Sequence, residues 1–312
     1  MAGSLFAPAW ALDPALARLA TPDAAMVTGI QVSAIRDSSF GRFLLERMSA
    51  SDSRFERVFR LTGFDPRRDL EEILIVADTL GDQGEAKGPA AALQGTGIVA
   101  AKGRFNEALW TELVANHGAV TAYQGHKLLG DGRSDTAAVF LDGIFVTGRS
   151  ADVKKLIDKQ GAPGNGAGAL LTRIETLSAS HHVWVLTNGS PSRFAGALPG
   201  ASRNMRSALS GAVLQGITDV AFGMRFGDQV VIAGEATTRT AEDAKALADV
   251  ARFFADMVKS NGTAPGGLTN LLLSLNLKPE GNQLRFSMSA PQRDIERLFD
   301  SGRALIRPVS LH

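Results

Sequence analysis

Cysteine is absent from the 312 residues. That excludes disulfides, thiolate zinc sites, iron–sulfur clusters and a cysteine nucleophile. Neither sign of charge is in excess: 33 Lys and Arg face 32 Asp and Glu. With no surplus of cations to hold a polyanion, nucleic acid is not expected as a partner. No run of about 18 apolar residues occurs, so no transmembrane segment is expected in the chain as given. There is no Gly-x-Ser-x-Gly elbow and no Walker phosphate loop. What remains is 45% hydrophobic and 21% charged residues. This is the composition of a globular protein, at a length that suits two domains of ordinary size.

One stretch occurs twice. Asp152-Val153-Lys154-Lys155-Leu156-Ile157-Asp158 returns as Asp294-Ile295-Glu296-Arg297-Leu298-Phe299-Asp300, and each copy reads as a short amphipathic helix after a pair of alternating strands. A repeat of this kind constrains architecture before any local assignment. Strands are expected over 26–32, 72–77 and 95–102, then at 119–123, 127–129, 137–141 and 144–147. Asp142-Gly143 suits a type I′ turn because both positions tolerate positive φ. Later strands are expected at 182–187, 217–226 and 229–235, with a last hairpin in which Leu273, Leu275 and Leu277 alternate, followed by Leu284, Phe286 and Met288.

The order of strand, helices, hairpin, helix, hairpin and helix thus occurs twice. The expected fold is α+β: two similar domains, each an antiparallel sheet with helices packed on one face, arising by internal duplication. The boundaries are a tail or short helix over 1–20, a first repeat over 21–160, a Gly-rich linker over 161–169 and a second repeat over 170–312.

Three stretches carry a resemblance. Val32-Ser33-Ala34-Ile35-Arg36, Thr62-Gly63-Phe64-Asp65-Pro66-Arg67-Arg68-Asp69-Leu70 and Ala138-Val139-Phe140-Leu141-Asp142-Gly143 resemble a group of exported bacterial proteins of uncharacterised function. The motifs are turns, caps and strands, so the resemblance implies export and a tandem α+β build but no activity.

Candidate chemistry is sparse. His181-His182 precedes a strand, without the second histidine at helical spacing or the carboxylate that a metal site requires. Ser190, in Asn188-Gly189-Ser190-Pro191, sits at a strand-to-helix turn within conceivable reach of His182, which makes the two a candidate hydrolytic pair. The plainer reading of Ser190 is an N-cap before a proline at the first helical position. Glycines around 164–168 follow a helix rather than a strand and lack the acidic ribose partner of a dinucleotide loop. Asp65, Asp69, Glu71 and Glu72 cluster, but Arg67 and Arg68 lie among them, and helix capping with local ion pairing explains the cluster better than calcium. No cofactor or metal is expected.

Trp110, Trp184, Phe254 and Met257 are candidates to line an apolar cleft between domains, against the alternative that they are core. Ala9-Trp10-Ala11 fits the small-x-small pattern that ends a secretory signal, without the charged start and most of the apolar core that should precede it; read as a truncated signal remnant, it leads to the expectation of a periplasmic or secreted protein. An ordinary Ala-rich tail would leave it cytoplasmic. The functional expectation is a non-catalytic exported module that binds a protein or apolar small-molecule partner in the cell envelope. The alternatives are a hydrolase around Ser190 and His182, or a structural subunit of an envelope assembly.

Overall fold

Strings such as Ile73-Leu74-Ile75-Val76 and Val183-Trp184-Val185-Leu186 are apolar at every position rather than at alternate ones. Strands of that kind are stable only when both of their faces are covered. A computed structural model, describing residues 11–43, 60–79, 96–130, 135–160, 167–189, 215–260 and 266–304, shows how this is met.

The described chain enters through helix α1 (Pro14–Ala17), where the Asp13 carboxylate accepts from the Ala15 amide. Strand β1 (Met26–Gln31), α2 (Val32–Asp37), α3 (Pro66–Asp69), β2 (Leu70–Thr79) and β3 (Thr96–Gly103) follow. Helix α4 (Glu107–His117) leads into two hairpins, β4 (Ala119–Tyr123) with β5 (His126–Gly130), and β6 (Thr136–Leu141) with β7 (Ile144–Arg149). Helices α5 (Ser150–Gln160) and α6 (Ala167–Ser180) precede β8 (Val183–Asn188), β9 (Ile217–Arg225) and β10 (Gln229–Thr238). The last elements are α7 (Ala241–Ser260), α8 (Gly266–Leu273), β11 (Asn276–Glu280), β12 (Gln283–Pro291) and α9 (Gln292–Ala304).

The twelve strands among the described residues join one antiparallel sheet in the order β11-β12-β10-β9-β8-β1-β2-β3-β7-β6-β5-β4. Where two sheets were expected, β1 and β8 pair edge to edge over Met26↔Thr187 to Ile30↔Val183 and fuse the halves. The strand order reads the same outward from this seam in both directions, apart from the additional β4–β5 hairpin. The alternation of a sheet explains a second departure. Trp184 and Val146 belong to the main core with α1, α5 and α6. Their chain neighbours Val183 and Phe145 point the other way, Val183 toward Phe40, Phe226 and Ile295, and Phe145 toward Trp110. Helices therefore cover both faces, as strands without polar alternation demand, rather than one. The two similar stretches both form helices, α5 and α9, yet Val153 of α5 lies in the main core and Ile295 of α9 packs on the opposite face.

At the seam the sequence makes an unusual allowance. Gly29 lies opposite Trp184, and a Cβ added there would come within 2.2 Å of the indole. Trp184, at 0% exposure, lies over β1 in space that any other residue at position 29 would occupy. Asp142-Gly143 turns as expected, with φ of 49° and 81°, and Gln124-Gly125 turns the same way at 44° and 84°, the signature of two-residue hairpins. Leu273 departs from expectation. It ends α8 rather than opening a strand, because Leu268, Leu271 and Leu272 supply helical spacing and Leu271 turns inward.

Gly29→Ala is expected to cost roughly 1–3 kcal/mol through overpacking, read as a lower urea midpoint with an unchanged slope. Adding Trp184→Phe should recover part of that loss, because the smaller ring vacates the space.

Candidate functional site

Helix α4 is capped by Asn106, whose side chain accepts from the Leu109 amide, and it closes at Gly118, whose amide donates to the Val114 carbonyl. Trp110 anchors the helix on the sheet. Trp110 sits 5.4 Å from Phe145 and 6.3 Å from Phe64, within a group completed by Phe105 and Phe140. Beyond the anchor the packing is loose, and none of the residues 107–116 is fully buried. β5 pairs with β6 over only two residues, Leu129↔Ala138 and Gly130↔Ala137, so the sheet parts from its last hairpin here. Between helix and sheet lies a cavity of about 280 Å³. Trp110, Leu113, Val114, Leu129 and Phe145 give it an apolar lining, with Thr136 and Thr147 as its polar residues. Trp110 Nε1–H is buried and meets no hydrogen-bond acceptor among the described residues. Holding such a donor out of water costs about 1–3 kcal/mol.

Of the four residues expected to share a cleft, only Trp110 lines this cavity. Trp184 is core. Phe254 and Met257 lie on α7, each 42% exposed, beside Phe253 at 66%. The 3.6-residue period that marked them as one group leaves them along one flank of α7, beside the buried row of Ala244, Leu247, Ala248 and Ala255, with Phe253 facing outward. The cavity itself was not legible in sequence, because it depends on what α4 fails to fill.

Ser190 lies outside the described residues. His182 is 3% exposed and borders a second, polar pocket of about 430 Å³ with Ser33, Asp37, Ser38, Ser39, Phe226 and Asp228. The Phe226 amide donates to His182 Nδ1 at 3.1 Å, which assigns the ring proton to Nε2. A ring in that state presents a donor, not the general base that a serine nucleophile needs. The Ser38 hydroxyl is committed too, donating to the Ile35 carbonyl at 2.6 Å and accepting from the Gly41 amide at 2.9 Å.

The carboxylate cluster is held by arginines and caps. Asp65 accepts from the Arg67 amide and guanidinium. Asp69 accepts from Arg68 at 2.8 and 2.7 Å and from the Asp65 amide, and the Arg68 guanidinium holds its carboxyl at about 2. Arg36 donates to the carbonyls of Arg67 and Arg68. Two of the stretches that carry the family resemblance thus meet as a structural clamp. Among the described residues no group of three or more His, Asp or Glu side chains could hold a metal ion.

No family model matches the chain, and no curated protein matches it. Among solved structures, crystal form I of TP0453 is similar over 93% of this chain and 97% of that one, at 11% identity and a TM-score of 0.46. That likeness carries no argument about function.

Burial pushes the His182 imidazole below its ordinary value, and the Arg225 charge and His181 add to the effect. Burial does the same to His181, against the raising effect of its contact with the Leu177 carbonyl. Both rings are therefore neutral in the native state at a pH where the unfolded chain already binds protons. Their contribution to stability is complete above the unfolded value near 6.5 and is lost as pH falls from there toward the depressed folded values. The thermal midpoint should fall between pH 7.5 and pH 5.5, and His181→Asn with His182→Asn should flatten that slope. An unchanged slope in the double variant would assign the acid sensitivity to other groups.

Proposed function

We propose that the protein is a non-catalytic binding module of the cell envelope that takes a small apolar ligand between α4 and the sheet. The cavity carries this reading: about 280 Å³ with a mostly apolar lining, at a point where an aromatic anchor joins helix and sheet. Apolar clefts with a few polar groups in their lining are the usual form of small-molecule sites, and such sites begin near this volume. The two-residue link between β5 and β6 supports entry, because little pairing must yield for α4 and its hairpin to move.

Export belongs to the same proposal. It is supported by Ala9-Trp10-Ala11, which fits the small-x-small end of a secretory signal. No helix among the described residues is long and apolar enough to cross a membrane. The matching strand order on the two sides of the β1–β8 seam supports a chain built from two related halves.

Titration with 1-naphthol, followed by tryptophan fluorescence and calorimetry, is the direct test. One saturable site is expected. Leu113→Trp, which fills the cavity, should weaken binding at least tenfold and raise the thermal midpoint. Binding that does not saturate, or that survives Leu113→Trp, would contradict the site. Mass spectrometry of protein from its own host should find an N-terminus at Leu12, and retention of Met1 would contradict export.

A further inference from the structure

The two edges of the sheet are built differently. β11 reads Asn276-Leu277-Lys278-Pro279-Glu280. Its lysine, proline and glutamate are residues that discourage addition of another strand. β4 reads Ala119-Val120-Thr121-Ala122-Tyr123, with no charge, no proline and an unbroken register against β5. Ala119, Val120, Thr121 and Ala122 are all exposed, and no other strand among the described residues pairs with this edge.

The hairpin turn decides which backbone groups the edge presents. Gln124-Gly125 is a two-residue turn with both φ positive, so Tyr123 and His126 form its closing, hydrogen-bonded pair. Alternation then commits Thr121 and Ala119 to β5, opposite Leu128 and Gly130. The N–H and C=O groups of Val120 and Ala122 point away from the sheet.

We propose that β4 pairs antiparallel with β4 of a second copy, across a twofold axis through Thr121. That register sets Val120 against Ala122 of the second copy, and Ala122 against its Val120. Both outward-facing residues on each chain are satisfied, with about four backbone hydrogen bonds in total. Thr121 meets Thr121 of the second copy as the non-hydrogen-bonded pair, a favourable cross-strand combination. The closed, self-complementary register is what favours a second copy over an unrelated strand. The same operation on β11 would centre on Lys278 and press it against its own equivalent, so only one edge of the sheet is fit for self-pairing. The side chains at positions 120 and 122 share the sheet face that carries α4, so the interface would run beside the cavity without depending on it.

The absence of cysteine makes the test clean. In Thr121→Cys the only two thiols of a dimer would face each other at a Cβ separation of roughly 4.5–5.5 Å, close to disulfide geometry. Mild oxidation of the full chain should give a covalent dimer, and Val120→Cys, whose thiols sit diagonally, should cross-link at least tenfold more slowly. Analytical ultracentrifugation of the unmodified chain should show a concentration-dependent dimer. Val120→Pro removes an outward N–H that β5 does not use, so it should weaken association at least tenfold while leaving the thermal midpoint within a few degrees. A monomer at all concentrations would overturn the proposal, as would a dimer indifferent to Val120→Pro or faster cross-linking at Val120 than at Thr121. A monomer that instead recruits a foreign strand at β4 would overturn it in favour of that occupant.

Discussion

The contact between the Trp184 indole and the bare backbone of Gly29 is the constraint on which the rest of the molecule depends. Each half of the chain ends its sheet in an apolar strand, β1 in one and β8 in the other, and neither could be left open to water. Pairing them edge to edge satisfies their backbones, and the tryptophan laid across the junction seals the side-chain layer above it. An indole of this size takes about 200 Å² out of water, an upper estimate of about 5 kcal/mol at 25 cal/mol/Å². It packs fully only because position 29 has no Cβ. On its other flank Trp184 lies opposite Gly223, where the His181 ring fills the space that a side chain would have taken.

Unequal packing on the two faces follows from that seam. The face bearing Trp184 is continuous, and Leu16, Leu74, Val146, Val153 and Ile174 are each fully buried along it. The other face is divided into separate clusters under α7, around Phe226 and beneath α4. Rigidity on one side and incomplete filling on the other set a stable frame beside a yielding pocket, the combination that the proposed binding role would use. The cavity lies at the far end of the sheet from α7, where pairing thins to two residues before the last hairpin.

Much of this was legible in the sequence, for identifiable reasons. Alternation and turn chemistry located most strands, and Asp142-Gly143 specified its hairpin because few residue pairs accept two positive φ values. Arg67 and Arg68 among the carboxylates correctly indicated capping and ion pairing. The fusion into one sheet was not legible, since nothing local distinguishes an edge strand that will be paired from one that will be covered. The coverage of both faces was available in the unbroken apolar runs at 73–76 and 183–186, but reading alternate residues alone hid it. Trp184 and Trp110 look alike in sequence. One has a glycine across the strand pair and becomes core, whereas the other sits on a helix too loosely packed against the sheet to enclose it. His182 drew attention as a base, and its role turns on an amide, that of Phe226, which lies 44 residues away.

Native-state hydrogen exchange across the β1–β8 pair tests the central claim most directly. If the Trp184–Gly29 seam holds the two halves as one cooperative unit, the amides paired between Met26–Ile30 and Val183–Thr187 should exchange only through global unfolding, as slowly as those linking β2 to β3 and β9 to β10. Seam amides that open at much lower free energy, while those flanking pairs stay protected, would show two independently stable halves merely in contact and would contradict the account.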